Sequence, residues 1–184
     1  MVKPISIFKK ICIMGDTKAG KTSIVNRYTS NEFTEEYTPS IGTKVSRKNV
    51  EISDPSGVLQ GLNVNLMIWD LLGSRDHAML LRTYYAGAEG GIIVTDASKE
   101  VTKDHIEFWV NNFKAVVPER APIIIAINKV DSIDPEKKKV GIRSVREICR
   151  DLNVSHIEVS AMTGESIDVL FYTISENMIE ARPF

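Results

Sequence analysis

Cysteine is nearly absent from this chain: two in 184 residues, Cys12 and Cys149. Two thiols cannot make a disulfide framework, and Cys12 sits in an apolar strand pattern. Both read as buried thiols of a reducing compartment, the cytoplasm. An excess of charge of either sign is missing too. The 23 Lys and Arg against 24 Asp and Glu leave a net charge of −1, which excludes the basic surface that coats nucleic acid. No apolar run is long enough to span a bilayer, and residues 1–6 carry no secretory signal. Position 2 is Val, which excludes N-myristoylation, and Ala181–Phe184 offers no cysteine for prenylation. No membrane anchor is therefore expected in the chain as given. His77, His105 and His156 stand in no ligand constellation. Repeats, low-complexity tracts and linkers are absent as well, so one domain over 1–184, acting as a monomer, is expected.

What is present is alternation. Strand and helix signals follow one another along the whole chain, the pattern of βαβ units around a parallel sheet covered on both faces. Phe8–Met14 reads as a buried strand and Thr22–Tyr28 as a helix opening. Ser30–Ile41 is polar and turn-rich, an exposed loop. Thr43–Ile52 and Leu62–Trp69 alternate as two strands, and the turn residues Ser53–Gly57 between them predict an antiparallel hairpin at the sheet edge. Gly90–Thr95 and Pro122–Ile127 are continuous apolar runs suited to central strands. Ile106, Trp109, Val110 and Phe113 repeat at helical spacing, as do Ile142, Val145, Ile148, Cys149 and Leu152. Ile157–Val159 makes a last strand and Gly164–Glu180 a last helix. These apolar and aromatic stripes are read as core, not as cofactor contacts.

The chemistry starts at Gly15-Asp16-Thr17-Lys18-Ala19-Gly20-Lys21-Thr22, which fits G-x-x-x-x-G-K-[ST] between a strand and a helix. Glycines at both ends let backbone N–H groups converge on a phosphate, and the helix N-terminus adds unpaired donors. Lys21 can reach the β- and γ-phosphates and stabilise charge in their transfer; Ser23 continues the loop into the helix, and the Thr22 hydroxyl can bind Mg²⁺. A chance match in a glycine-containing loop is the competing reading, and the flanking strand and helix weigh against it. Asp70, ending a strand in Trp69–Gly73, can hold the Mg²⁺ shell, and Gly73 lets a backbone N–H approach a phosphate. That D-x-x-G pattern is weak alone. Asn128-Lys129-Val130-Asp131 also follows a strand, and an Asp there can accept from the N1–H and 2-amino group of guanine, donors that adenine lacks. By itself it could be a polar turn; joined to the phosphate loop it points to guanine. Ser160-Ala161-Met162 completes the set with a backbone N–H able to meet the guanine O6.

With these motifs in this order, the chain resembles the Ras superfamily of small GTPases, the Rab branch above all, over essentially its whole length. The resemblance implies a P-loop NTPase α/β fold: a three-layer sandwich on a mostly parallel six-stranded sheet, one antiparallel edge strand, helices on both faces. It implies a GTP/GDP switch with Mg²⁺. Switch I (33–42) and switch II (70–85) would meet effector, exchange-factor and activating proteins. Phe33 would lie against the base edge, Tyr37 close over the phosphates, and Ser40 join Thr22 and Asp70 around Mg²⁺. Gly73 would sense the γ-phosphate, Lys129 pack along base and loop, and Asp131 read guanine.

The departures from the family concern hydrolysis. Ser74 stands where the family carries the Gln that orients the attacking water, so slow turnover is expected. A GTP-binding scaffold with negligible turnover is the alternative; a P-loop kinase is disfavoured by Asn128–Asp131. Arg75 follows, read here as a solvent-facing side chain on a mobile loop rather than a charge-stabilising finger in cis. Asp76 and His77 are expected to face solvent. Ser40 replaces the usual Thr and loses a methyl, which weakens closure, and Met162 replaces the usual Lys. The long spacing from Ser40 to Asp70 implies a longer hairpin around 53–61.

Overall fold

The chain alternates as expected, and its central strands are apolar enough to be buried on both faces. The structure, a computed structural model, describes residues 5–33, 43–52, 62–131 and 135–181. Six strands form one sheet in the order β2-β3-β1-β4-β5-β6. They are β1 (Ile5–Gly15), β2 (Lys44–Ile52), β3 (Leu62–Asp70), β4 (Gly90–Asp96), β5 (Ile123–Asn128) and β6 (Ser155–Glu158). Only β2 runs antiparallel, against β3 at the edge; the other pairings are parallel.

Five helices cover the sheet: α1 (Lys21–Ser30), α2 (Ala78–Tyr85), α3 (Lys103–Lys114), α4 (Pro135–Asp151) and α5 (Ile167–Glu180). One core layer packs Ile24, Val25 and Tyr28 of α1 and Leu170, Phe171 and Ile174 of α5 against Ile11, Ile13 and Ile68. The other packs Leu81 of α2, Trp109 and Phe113 of α3 and Val145 of α4 against Cys12, Ile93 and Ile125. The stripes read as core are core. Both thiols are free and buried, and burial pushes Cys12 up to about 12 and Cys149 up to about 11, which disfavours their thiolates. No described helix is long and apolar enough to cross a membrane.

Several boundaries differ from the sequence expectation by a residue or more. β1 begins at Ile5, because pairing with Leu62–Asn65 of β3 carries the strand through its polar residues. β6 starts at Ser155, two residues early, and closes at Glu158, one residue early. α5 begins only at Ile167, since Ser166 holds a left-handed φ of 56° that no helix can include.

A charge lies inside this fold. Lys9 of β1 is 1% exposed, and its ammonium donates to Glu89 at 2.8 Å and to the Met178 carbonyl at 3.5 Å. The run Phe8–Met14 was expected to be an apolar strand; this Lys is tolerated because a carboxylate before β4 meets it.

Register then gathers the site. Ile13 pairs with Asp70, Gly15 with Val94, and Asp96 with Asn128, so these residues reach the carboxyl edge of the sheet together. β1 lies between β3 and β4, where the chain winds outward in both directions, the crevice in which open α/β sheets take ligands.

Candidate functional site

The phosphate loop is a tight backbone turn with three positive-φ positions, Gly15 at 134°, Lys18 at 65° and Gly20 at 98°. Gly20 is required twice over. It caps α1, and a Cβ there would sit 2.2 Å from Nδ2 of Asn128. Lys21 opens α1 buried, and its ammonium donates to the carbonyls of Gly15 and Asp16, both at 3.0 Å. Burial lowers its pKa, against the raising charges of Asp70 and Asp16. This is a lysine held over the loop with an ammonium ready for an anion.

Beside it the Thr22 hydroxyl donates to Asp70 Oδ2 at 2.6 Å. The other oxygen, Asp70 Oδ1, is buried without a hydrogen-bond partner. Burial pushes this carboxyl up, while the Thr22 hydrogen bond and the charges of Lys21 and Lys44 pull it down. A hydroxyl and an orphaned carboxylate oxygen are a hard-oxygen donor set that fits Mg²⁺. Among the described residues no cluster of three or more His, Cys, Asp or Glu could hold a metal by itself. Tyr37 and Ser40 lie outside the described residues.

The second half of the cradle comes from the ends of β5 and β6. Asn128 is buried between two backbones: Nδ2 donates to the Ala19 carbonyl at 2.9 Å, and Oδ1 accepts from the Ala161 amide at 3.1 Å. Lys129, also left-handed at φ 67°, donates to the Lys18 carbonyl at 2.8 Å and to Asp96 Oδ2 at 2.7 Å. Burial raises the Asp96 carboxyl, but the hydrogen bonds from Lys129 and Ser98 outweigh it and hold it below the usual range. Two residues on, Asp131 Oδ1 is buried with no partner. A buried bare carboxylate oxygen is costly unless a donor arrives. Ser160 is buried and takes the Thr163 amide on its hydroxyl at 3.0 Å. Met162 is exposed, and Phe33 is half-buried against the α1/α5 core.

A phosphate loop, a hydroxyl–carboxylate pair and an orphaned Asp beyond Asn-Lys thus lie along one edge. The Ras family profile matches residues 10–180. The chain belongs to the Ras family. It is 32% identical over 174 residues to the GTP-binding nuclear protein GSP1 of Encephalitozoon cuniculi, spanning 95% of this chain and 77% of that protein. Against the Ras-related protein Rab-15 of Homo sapiens it is 28% identical over 182 residues, 99% of this chain and 82% of the relative. Against the Ras-related protein Rab-5B of Plasmodium falciparum it is 30% identical over 169 residues, 92% and 77%. As a member of the Ras family it is a small GTPase, with Rab and Ran-type relatives.

In this Ras-family chain Arg75 does not lie as expected. Arg75 is not a solvent-facing side chain: Nε and Nη2 grip the two carboxylate oxygens of Asp16 at 2.9 and 2.6 Å, and the guanidinium lies over the Phe108 ring. The carboxylate of Asp16 is the reason, since it also takes the Trp109 indole N–H at 3.0 Å and so stands fixed in reach. Ser74 points its hydroxyl to Asp76 at 3.4 Å, and Asp76 and His77 are exposed. Thr17 donates to the Gly73 carbonyl at 2.8 Å.

Sequence reasoning missed Asp96, Arg27 and Trp109 as parts of this framework. Arg27 of α1 donates to the carbonyls of Ala161 at 2.9 Å and Met162 at 2.6 Å, fastening that loop to α1. Asp96 had a signal: it ends an apolar strand two residues before a Ser that caps it, both through the Ser98 amide at 3.0 Å and its hydroxyl at 2.6 Å. Arg27 and Trp109 had none, because an apolar stripe or a helix surface says nothing of what lies across from it.

Asn128→Ala leaves the Ala19 carbonyl and the Ala161 amide buried without their partner, so stability should fall by about 2–4 kcal/mol. Thermal denaturation checks this; an unchanged midpoint would show that the bridge carries no stability.

Proposed function

We propose that this chain is a single-domain guanine-nucleotide switch that binds GTP and GDP with Mg²⁺ and hydrolyses GTP slowly. Asp131 carries the reading. Its unpartnered buried oxygen stands beside the Asn128 and Lys129 ties to the phosphate loop, where guanine N1–H and the 2-amino group would meet it. Gly15 to Ser23 would wrap the phosphates, with Phe33 and Ser160–Met162 about the base. Thr22 and Asp70, with Ser40 of switch I, would hold Mg²⁺. Bound there, the ion neutralises charge on the β- and γ-phosphate oxygens. Lys21 stabilises charge as water attacks the γ-phosphate, Tyr37 closes over it, and Gly73 offers it an amide.

Slow turnover follows from Ser74, whose short side chain cannot reach an attacking water as a Gln amide would. In the structure Arg75 is paired with Asp16 rather than held as an arginine aimed at the phosphates. Switch I and switch II would receive effector, exchange-factor and activating proteins, and α2 already presents Met79 at 85% and Leu80 at 43% exposure. The two free buried thiols suit the cytoplasm, and a monomer suffices for the reaction.

Ser74 also favours the second reading, a GTP-binding scaffold that hardly turns over. Single-turnover hydrolysis separates the two. Ser74→Gln should raise the rate of GTP cleavage about ten-fold or more over the wild-type chain, which itself converts GTP faster than it releases it. Release of intact GTP before any cleavage would leave only the scaffold. No gain in Ser74→Gln would remove Ser74 as the cause of slow turnover.

A further inference from the structure

The entrance to switch II is fastened to the phosphate loop through two of its residues, Gly73 and Arg75. Asp16 holds Arg75 bidentately, with Trp109 bracing the same carboxylate from α3. Thr17 holds the Gly73 carbonyl. Gly73 itself presses on the loop so closely that a Cβ there would fall 2.5 Å from Lys21 Nζ and 2.7 Å from the Thr17 amide nitrogen. These are the groups that a γ-phosphate must approach. A planar fork on a carboxylate is the strongest form of side-chain ion pair, and stacking on Phe108 limits the other places Arg75 can go. Trp109 is 2% exposed and belongs to the core, so the Asp16 carboxylate is anchored to a rigid helix rather than to a loop.

We propose that Arg75, Asp16 and Trp109 form a latch that holds the switch II entrance down on the phosphate loop, in competition with the γ-phosphate. GDP leaves the latch shut. GTP must lift the Gly73–Arg75 segment off Lys21, and so binds against the Arg75–Asp16 pair. The consequence is a chain biased toward its GDP state by residues that touch neither nucleotide's base. Asp16 and Trp109 act here as positioning residues through Arg75.

The latch rests on the guanine-nucleotide reading above, and one experiment distinguishes the two. Affinities for GDP and for a non-hydrolysable GTP analogue are measured, with Mg²⁺, by displacement of a fluorescent guanine nucleotide from the full chain. Arg75→Ala should tighten the GTP analogue about five- to ten-fold while GDP stays within two-fold. Trp109→Phe, which keeps an aromatic ring in the core but loses the indole N–H with part of the ring system, should shift the same ratio by a smaller factor. Arg75→Lys, a point charge without the fork, should fall between wild type and Arg75→Ala. Both nucleotides bound with an unchanged ratio in Arg75→Ala would overturn the latch and leave the nucleotide site standing. An equal loss for both nucleotides would also overturn it, since the pair would then merely support the loop. Failure of the wild-type chain to bind either nucleotide would overturn the guanine reading and the latch with it.

Discussion

Asp131→Asn should weaken GTP and GDP binding by roughly 10²–10³-fold, about 3–4 kcal/mol. The wild-type carboxylate offers only acceptors, and guanine brings only donors to it at N1 and the 2-amino group. Asparagine turns one of those acceptors into a donor, so an N–H faces an N–H inside a buried site. Xanthine carries a carbonyl at position 2 in place of the amino group. The variant amide can therefore accept from N1–H and donate to that carbonyl, and xanthosine diphosphate should bind the variant more tightly than GDP does. Competition against a fluorescent guanine nucleotide measures both. Equal GDP affinity in wild type and variant would remove Asp131 from base recognition. In the structure Asp131 Oδ1 is buried and no group of the described chain offers it a donor.

The second large effect is on stability. Glu89→Ala strands the Lys9 ammonium at 1% exposure, with the long 3.5 Å contact to the Met178 carbonyl left to it among the described residues. Breaking one side of a buried pair costs about 3–5 kcal/mol, and since Glu89 is a quarter exposed about 2–3 kcal/mol is expected here. For a chain of this size that is a fall of roughly 5–10 °C in the unfolding midpoint. Lys9→Met, which fills the same volume without charge, should stay within about 1 kcal/mol of wild type, and adding it to Glu89→Ala should recover most of the loss. Thermal unfolding of the three variants decides. A midpoint in Glu89→Ala within about 2 °C of wild type would mean that Lys9 finds water or another partner.

The fold was readable because its signals are periodic and local. The apolar runs Gly90–Thr95 and Pro122–Ile127 became β4 and β5, buried at every position, and the 43–52 and 62–69 alternation became the antiparallel edge. The backbone cradle was readable as well, since a glycine-framed loop, an Asp after a strand and an Asn-Lys-x-Asp turn each carry their chemistry in consecutive residues. What escaped were contacts across long stretches of chain. Arg75 meets Asp16, Trp109 meets Asp16, and Arg27 meets Ala161, each brought together only when the sheet sets its strand ends side by side. A periodic pattern tells which face of α3 is buried, not that one indole edge on that face reaches a carboxylate. Lys9 escaped for a related reason: a single charge in an apolar strand is invisible as a core residue until its partner, eighty positions away, is placed.

The Asn128 and Lys129 ties imply something about nucleotide fragments. Two hooks join the turn that ends β5 to the backbone of the phosphate loop at Ala19 and Lys18. On the guanine-nucleotide reading, a ligand that fixes one half of the cradle also bears on the other. Guanosine alone must set the phosphate loop before it is held, and pyrophosphate alone must set the base loop. Each fragment therefore meets the whole ordering cost, while the joined molecule meets it once. On the guanine-nucleotide reading, the separate fragments should bind more weakly than their share of the contacts suggests, and each one present should favour the other.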